Sequence, residues 1–233
     1  MLQWSQFIEP YKQAVAELKV KLKGIRSQYE LENIHMPVEF VTGRVKPLAS
    51  IYDKTREKGI LFEPSKELAA EIPDIAGLRI MCQFVDDIGA VVEILRKRKD
   101  LEVIEERDYI ENKKPSGYRS YHMIIQYPVQ TIHGEKVILA EIQIRTLAMN
   151  FWASIEHSLN YKYESELPEV ISLRLERAAE AAFRLDEEMS LIRDEIQDAQ
   201  KYFSSYKQDR RESNRMNEGT EGDNDEIRNS IKK

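Results

Sequence analysis

Seven residues beyond the middle of the chain, Ala140-Glu141-Ile142-Gln143-Ile144-Arg145-Thr146, alternate polar and apolar types. On a strand this puts Glu141, Gln143 and Arg145 on one face and Ile142 and Ile144 on the other. A carboxylate, an amide and a guanidinium in one row can hold a cation, take a proton and steady an anion. The same pattern also fits a plain strand with one solvated face. A second segment, Pro73-Asp74-Ile75-Ala76-Gly77-Leu78-Arg79-Ile80-Met81, offers Asp74 at the mouth of an apolar strand and Arg79 within it. Gly77 interrupts that strand, as glycine does where another group approaches closely. Asp74 and Arg79 fall on opposite faces of an ideal strand. Shared service in one site therefore requires a strand that begins after Asp74 or carries a bulge. Taken alone, Asp74 reads as an ordinary terminus residue.

Two basic segments could handle phosphate. Lys113-Lys114-Pro115-Ser116-Gly117-Tyr118-Arg119-Ser120-Tyr121-His122 joins a lysine pair, a glycine turn and an aromatic ring. Lysine and arginine supply charge to phosphates, and Tyr118 can stack on a purine; the plain alternative is a turn entering a strand. Thr42-Gly43-Arg44-Val45-Lys46, with Ser50 and Lys54 following, lies just ahead of a helix. Helix N-termini and nearby cations favour bound phosphate, although the spacing is not that of a P-loop. His122, His133 and His157 have no spacing that suggests a zinc site. Cys82, the single cysteine, lies in an apolar run and reads as a small buried hydrophobe.

These segments need elements to position them. Ile8, Tyr11, Val15, Leu18, Leu22, Ile25 and Tyr29 keep heptad spacing and predict a long first helix. Gly43 to Lys58 reads as a loop entering a second helix, with Pro47 near its first turn, and a poorly periodic connector runs to Pro73. Strands are predicted at Ile75–Phe84, Leu101–Tyr109, Tyr118–Tyr127 and Val137–Arg145, with a helix at Asp86–Arg98 and a hairpin connection at Pro128–Gly134. Helix is predicted again from Thr146 to about Tyr163. A long amphipathic helix after Pro168 carries Leu175, Ala178, Ala182, Leu185, Met189, Ile192, Ile196, Ala199 and Phe203 at heptad spacing. Residues 207–233 are polar and predict disorder, because they bury too little to offset ordering. The whole reads as α+β, a mixed sheet flanked by helices with long amphipathic helices at both ends.

The chain has 233 residues, 42% hydrophobic and 33% charged, and a formal net charge of −6. That balance argues against a protein that coats nucleic acid through bulk charge. No apolar run approaches a membrane span and no secretory signal opens the chain, so a cytoplasmic protein is expected. Positive charge is nonetheless concentrated in the first helix, at Lys12, Lys19, Lys21, Lys23 and Arg26.

No single segment decides the chemistry. In order along the chain, however, Gly43-Arg44-Val45-Lys46, Asp74-Ile75-Ala76-Gly77-Leu78-Arg79, Gly117-Tyr118-Arg119-Ser120-Tyr121-His122, Glu141-Ile142-Gln143-Ile144-Arg145-Thr146 and Asn150-Phe151-Trp152-Ala153 together resemble the synthetase domain of RelA/SpoT-type alarmone enzymes. The resemblance runs from about residue 5 to 205 and extends to the flanking helices of the stand-alone small synthetases, leaving only the polar tail outside it. It implies a nucleotidyltransferase-like fold and transfer of the β,γ-pyrophosphate of ATP to the 3′-hydroxyl of GDP or GTP. By the same resemblance, Asp74 and Glu141 hold Mg²⁺, and Glu141 helps deprotonate the hydroxyl. Arg44 and Arg79 sandwich adenine, with Lys46, Ser50, Lys54 and Arg56 along the ATP phosphates. Tyr118 stacks on guanine, Asn150 reads its edge, and Arg107, Lys114, His122 and Gln143 line the acceptor. No His-Asp dipeptide of the family's hydrolase domain is present, so synthesis without hydrolysis is expected.

Two other readings use the same residues: transfer of a nucleoside monophosphate, and a nucleotide- or single-stranded-RNA-binding regulator without catalysis. The heptad helices predict assembly, and the stand-alone relatives imply a homotetramer. In such an assembly Lys21, Lys23 and Arg26 of neighbouring subunits would form a cleft for pppGpp as activator, where single-stranded RNA would compete.

Overall fold

The computed structural model describes residues 2–32, 34–162 and 167–230, apart from the side chains of 2, 160–162 and 204–230. Two compact units divide the chain, Met1–Glu187 and Glu188–Lys233. The first unit holds a five-stranded sheet ordered β1-β2-β5-β4-β3, where β1 is Phe40–Val45, β2 Ala76–Cys82, β3 Glu102–Asp108, β4 Tyr121–Thr131 and β5 Gly134–Thr146. The β2·β5 pair is parallel and the other pairs are antiparallel, so the mixed α+β sheet expected from the sequence is observed. The helices are α1 (Leu2–Glu32), α2 (Leu48–Lys58), α3 (Lys66–Glu71), α4 (Val85–Arg96), α5 (Leu147–Lys162) and α6 (Glu169–Ser230). No helix among the described residues is long and apolar enough to cross a membrane.

Register explains how one sequence builds both a core and a site. Leu78 pairs with Ile142, which pairs with Met123, and all three are fully buried on the apolar face. The α1 seam is spent on the core as well: Tyr11, Val15, Leu18, Leu22 and Ile25 are each at most 7% exposed. The first heptad seam therefore packs on the sheet within one subunit. Gly43 permits close approach of α1, since a Cβ there would lie 2.9 Å from Val15 Cγ1.

Four elements depart from the sequence reading. The segment read as a loop from Gly43 begins instead inside β1, where Thr42 pairs with Arg79 and Arg44 with Gly77. The connector before Pro73 contains α3, capped by Ser65, whose Oγ accepts from Leu68 N at 3.1 Å. Pro128 does not end β4 but lies within it, opposite Val137. Because β3 pairs with β4 only as far as Gln126, the other edge of β4 is unpaired there and tolerates a proline. The end of the helix expected to reach Tyr163 lies outside the described residues, as do residues 231–233 of the polar tail. The helix α6 is assigned through residues 207–230, where composition predicts disorder.

Candidate active site

The second face of the sheet carries the chemistry. One row across it reads Thr42, Arg79, Gln143, His122, Arg107, and the neighbouring row Arg44, Gly77, Glu141, Ile124, Glu105. Lacking a side chain, Gly77 leaves the space between Arg44 and Glu141 open. Asp74 reaches the same face because β2 begins only at Ala76; Asp74 itself sits in a 3-10 turn, Pro73–Ile75, with φ −91° and ψ 19°. This settles how Asp74 and Arg79 can share a site. Lys46 N donates to Ile75 O at 2.8 Å and ties the end of β1 to that turn.

Both Asp74 oxygens carry an ammonium: Lys46 Nζ lies 2.5 Å from Oδ2 and Lys54 Nζ 2.8 Å from Oδ1. Burial raises the Asp74 pKa, but the bonds from Lys46 and Lys54 outweigh it and hold the carboxyl below its ordinary value. Glu141 behaves likewise. Burial pushes it up, and bonds from His122 Nδ1 (3.0 Å) and Gln143 Nε2 (2.7 Å) bring it below the usual carboxylate range. Arg79 has its pKa lowered by burial and by the facing charges of Arg145 and Arg44.

Two adjoining clefts meet over these carboxylates. One, of about 240 Å³, is walled by Thr42, Arg44 and Lys46. The other, of about 510 Å³, is walled by Lys114, Tyr118, His122 and Arg145, with Ser154, Glu156 and His157 from α5. Arg44, Asp74, Arg79, Glu141 and Gln143 belong to both. In the larger cleft Lys114 Nζ stands 5.0 Å from the Tyr118 ring centroid and 4.8 Å from that of Tyr109.

The turn that carries Lys114 and Tyr118 is seated on α6. Gly117 has φ +85°, and a Cβ there would lie 2.6 Å from Ala179 Cβ, so glycine is required twice over. Lys113 and Arg119 both reach Glu180, at 3.3 and 3.1 Å, and the Arg119 guanidinium stacks 4.0 Å from the Phe183 ring centroid. At the other end of the site Thr146 accepts from Met149 N at 3.1 Å, capping α5, and donates to Asp186 at 2.5 Å.

Several residues singled out in the sequence stand apart from the clefts. Arg107 shares the strand row but pairs with Glu105 at 2.6 Å. Ser50 and Arg56 lie on α2 outside both clefts, Arg56 with its guanidinium 6.0 Å from the Tyr52 ring centroid. Asn150 lines neither cleft; its Oδ1 is buried without a hydrogen-bond partner among the described residues. Lys21 is held by Asp100 at 2.9 Å, and Arg26 by Glu30 at 2.9 Å and the Glu39 carbonyl at 2.6 Å, while Lys23 is exposed. The sequence reading did not single out Glu156 and weighed His157 only as a zinc ligand; their signal for this site is helical spacing from Ala153. Cys82 is fully buried, and burial drives its thiol pKa far up, as expected of a structural cysteine.

Residues 43–166 match the family model described as the region found in RelA / SpoT proteins. The chain belongs to the RelA/SpoT family. Among its relatives in that family, GTP pyrophosphokinase YjbM of Bacillus subtilis is 64% identical over 205 residues, covering 88% of this chain and 95% of the relative. The crystal structure of small alarmone synthetase 1 from B. subtilis bound to its product pppGpp is also similar. It has a TM-score of 0.78 and 62% identity, covering 84% of this chain and all of that one. The same synthetase bound to AMPCPP gives a TM-score of 0.73 at 60% identity, over 84% of this chain and 98% of that one. This chain has the RelA/SpoT synthetase fold.

Proposed function

We propose that the chain is a (p)ppGpp synthetase, transferring the β,γ-pyrophosphoryl group of ATP to the 3′-hydroxyl of GDP or GTP and releasing AMP. The observation that carries the reading is the meeting of two clefts over one pair of carboxylates, Asp74 and Glu141. A transfer between two nucleotides needs two binding spaces with the reacting atoms at their junction. The oxygen of the 3′-hydroxyl attacks the β-phosphorus of ATP, the bond from that phosphorus to the α-phosphate oxygen breaks, and Glu141 takes the hydroxyl proton.

The smaller cleft is assigned to ATP, with Arg44 and Arg79 against adenine and Lys46 and Lys54 toward the phosphates; Ser50 and Arg56, on α2 beyond the cleft wall, would meet only phosphates that extend past it. The larger cleft takes the guanine nucleotide, with Tyr118 as the stacking ring and Lys114, His122 and Gln143 toward its phosphates and ribose; Arg107 would join them only by leaving Glu105. Asn150, expected at the guanine edge, has an unpaired buried oxygen but sits off the cleft wall. No group of three or more metal-ligating side chains occurs among the described residues. Two carboxylates nonetheless fit Mg²⁺, which commonly takes one or two carboxylates and completes its shell with water and substrate phosphate. Bound there by Asp74 and Glu141, Mg²⁺ would offset charge on the transferring phosphates.

The test is product analysis with γ-labelled ATP and each guanine nucleotide. Label on the guanine product together with AMP release is expected; pyrophosphate release with AMP transfer overturns the reading. Glu141→Gln, nearly isosteric, is expected to abolish transfer with an unchanged circular dichroism spectrum, and wild-type turnover in that variant refutes the assignment.

Assembly and regulation extend the reading. With α1 spent on the sheet, the apolar surface available for a homotetramer lies on α5, at Leu147, Phe151, Ile155 and Leu159, and in the second unit at Met189, Ile192, Ile196 and Phe203. A monomer in sedimentation at micromolar concentration would refute the assembly. Activation by pppGpp through Lys23 and Arg26, with single-stranded RNA competing, is tested by the double alanine variant, which should lose activation and keep basal synthesis. Lys21, held by Asp100, and Arg26, held by Glu30 and the Glu39 carbonyl, fit this role less well than the exposed Lys23. Residues 1–206 are assigned to synthesis and assembly and 207–233 to a disordered tail, because a helix without a packed apolar face is marginal in water. Amide exchange slowed beyond residue 207 would contradict that division. ATP and a guanine nucleotide as substrates support the expectation of a cytoplasmic protein.

A further inference from the structure

The side chain of Arg145 is buried, 4% exposed, and was not singled out as a site residue by the sequence beyond its place on the β5 face. Its Nη2 carries two hydrogens, and two acceptors lie within reach: Tyr118 Oη at 2.5 Å and Gln143 Oε1 at 2.7 Å. From each acceptor the bonding continues to Glu141. Tyr118 Oη, accepting from Arg145, lies 2.7 Å from His122 Nε2 and gives its own hydrogen there when that nitrogen is bare. With Nε2 accepting, the neutral His122 ring carries its hydrogen on Nδ1 and donates to Glu141 Oε1 at 3.0 Å. On the second path Gln143 Nε2 donates to Glu141 Oε2 at 2.7 Å. Both paths begin on one guanidinium nitrogen, every hydrogen points toward the carboxylate, and each carboxylate oxygen ends one path. Arg145 Nε is itself fixed, donating to Ser120 Oγ at 3.1 Å.

We propose that Arg145 is a positioning residue that sets Glu141 through two hydrogen-bonded arms, and that the Tyr118 hydroxyl is the working link of one of them. The inference rests on the reading of Glu141 as the group that takes the acceptor proton. Chains of polarised hydrogen bonds in a buried site reinforce one another and leave the terminal group few orientations. The arrangement gives Tyr118 two separable tasks. Its ring faces the cleft assigned to guanine, while its hydroxyl orients the carboxylate on the neighbouring strand through His122. The stacking role alone predicts a mild Tyr118→Phe variant; the two-armed arrangement predicts a damaging one.

Steady-state kinetics and a spectroscopic signature test this together. Tyr118→Phe removes one oxygen atom and is expected to lower kcat roughly ten- to a hundredfold, the scale of a misplaced reacting group, with acceptor KM within about threefold of wild type. Arg145→Lys keeps the charge but loses the planar fork and is expected to lower kcat at least as far. In ¹⁵N spectra of the histidine side chains, wild-type His122 should show a protonated Nδ1 and a bare Nε2, and in Tyr118→Phe it should shift toward the Nε2–H tautomer. Wild-type kcat in either variant overturns the proposal. So does a change confined to acceptor KM, or a His122 tautomer unaltered by Tyr118→Phe. The acceptor reading is tested separately by Tyr118→Ala: an unchanged acceptor KM there refutes stacking, whatever the outcome with phenylalanine.

Discussion

Asp74 holds one lysine on each oxygen, and those lysines are the ones assigned to the phosphates of ATP. A divalent cation bound by this carboxylate would sit beside two ammonium groups that repel it. Donor phosphates attract the same ammonium groups, so metal and donor are coupled, and coupling in binding is reciprocal. In nucleotide-free protein, Lys46→Ala combined with Lys54→Ala is therefore expected to tighten Mn²⁺ binding by roughly fivefold or more, the low end of ordinary coupling energies, while weakening ATP. Electron paramagnetic resonance titration of free Mn²⁺ measures it; an unchanged affinity contradicts the coupling. Glu141 differs because its partners, His122 and Gln143, are not among the residues assigned to the ATP phosphates.

At the level of elements, a buried carboxylate on α6 makes a pH prediction. Burial raises the Asp186 pKa to about 6, and the bond from Thr146 only partly offsets this. Because the folded value lies above the unfolded one, the folded state binds the extra proton between about pH 4 and pH 6. Asp186 therefore weakens the fold above pH 6, and the penalty fades as pH falls toward 4. Asp186→Asn is expected to raise stability at pH 7.5 by up to roughly 3 kcal/mol, with the gain vanishing near pH 4. Urea melts at the two pH values measure it, and a gain independent of pH would contradict the account. Legibility followed element size. The strands β2, β4 and β5 were readable because their alternation or apolar runs exceed their punctuation. The short β1 was lost because Gly43 and Pro47 look like loop residues, although Phe40, Thr42 and Arg44 alternate with Val41 and Val45. The six-residue α3 is too short for a 3.6-residue period to declare itself. Among site residues, types and local spacing marked Asp74, Tyr118 and Glu141. The inward role of Arg145 depends on register between strands, which local spacing does not encode.

At the scale of the molecule, the sheet order has a consequence for how activity is gained and lost. The strand β5 lies between β2 and β4, so Glu141 stands beside Gly77 although a helix, a strand and a hairpin separate them in sequence. The β4·β5 hairpin can form early from local contacts, whereas the parallel β2·β5 pairing must close a long loop first and is the slower event. Asp74 and Glu141 meet only through that pairing. The site is thus assembled by the step that also completes the sheet, not by a peripheral segment that could fray alone. Refolding followed by stopped flow should show hydrogen-bonded strand signal ahead of catalytic activity, with activity appearing in the same phase as burial of Trp152, the α5 indole that donates to the Leu175 carbonyl at 2.9 Å. Activity recovered well before that phase would place the slow step elsewhere. A chain still emerging from the ribosome would on this account stay silent until its central strand had been inserted, and partly folded molecules would consume no ATP.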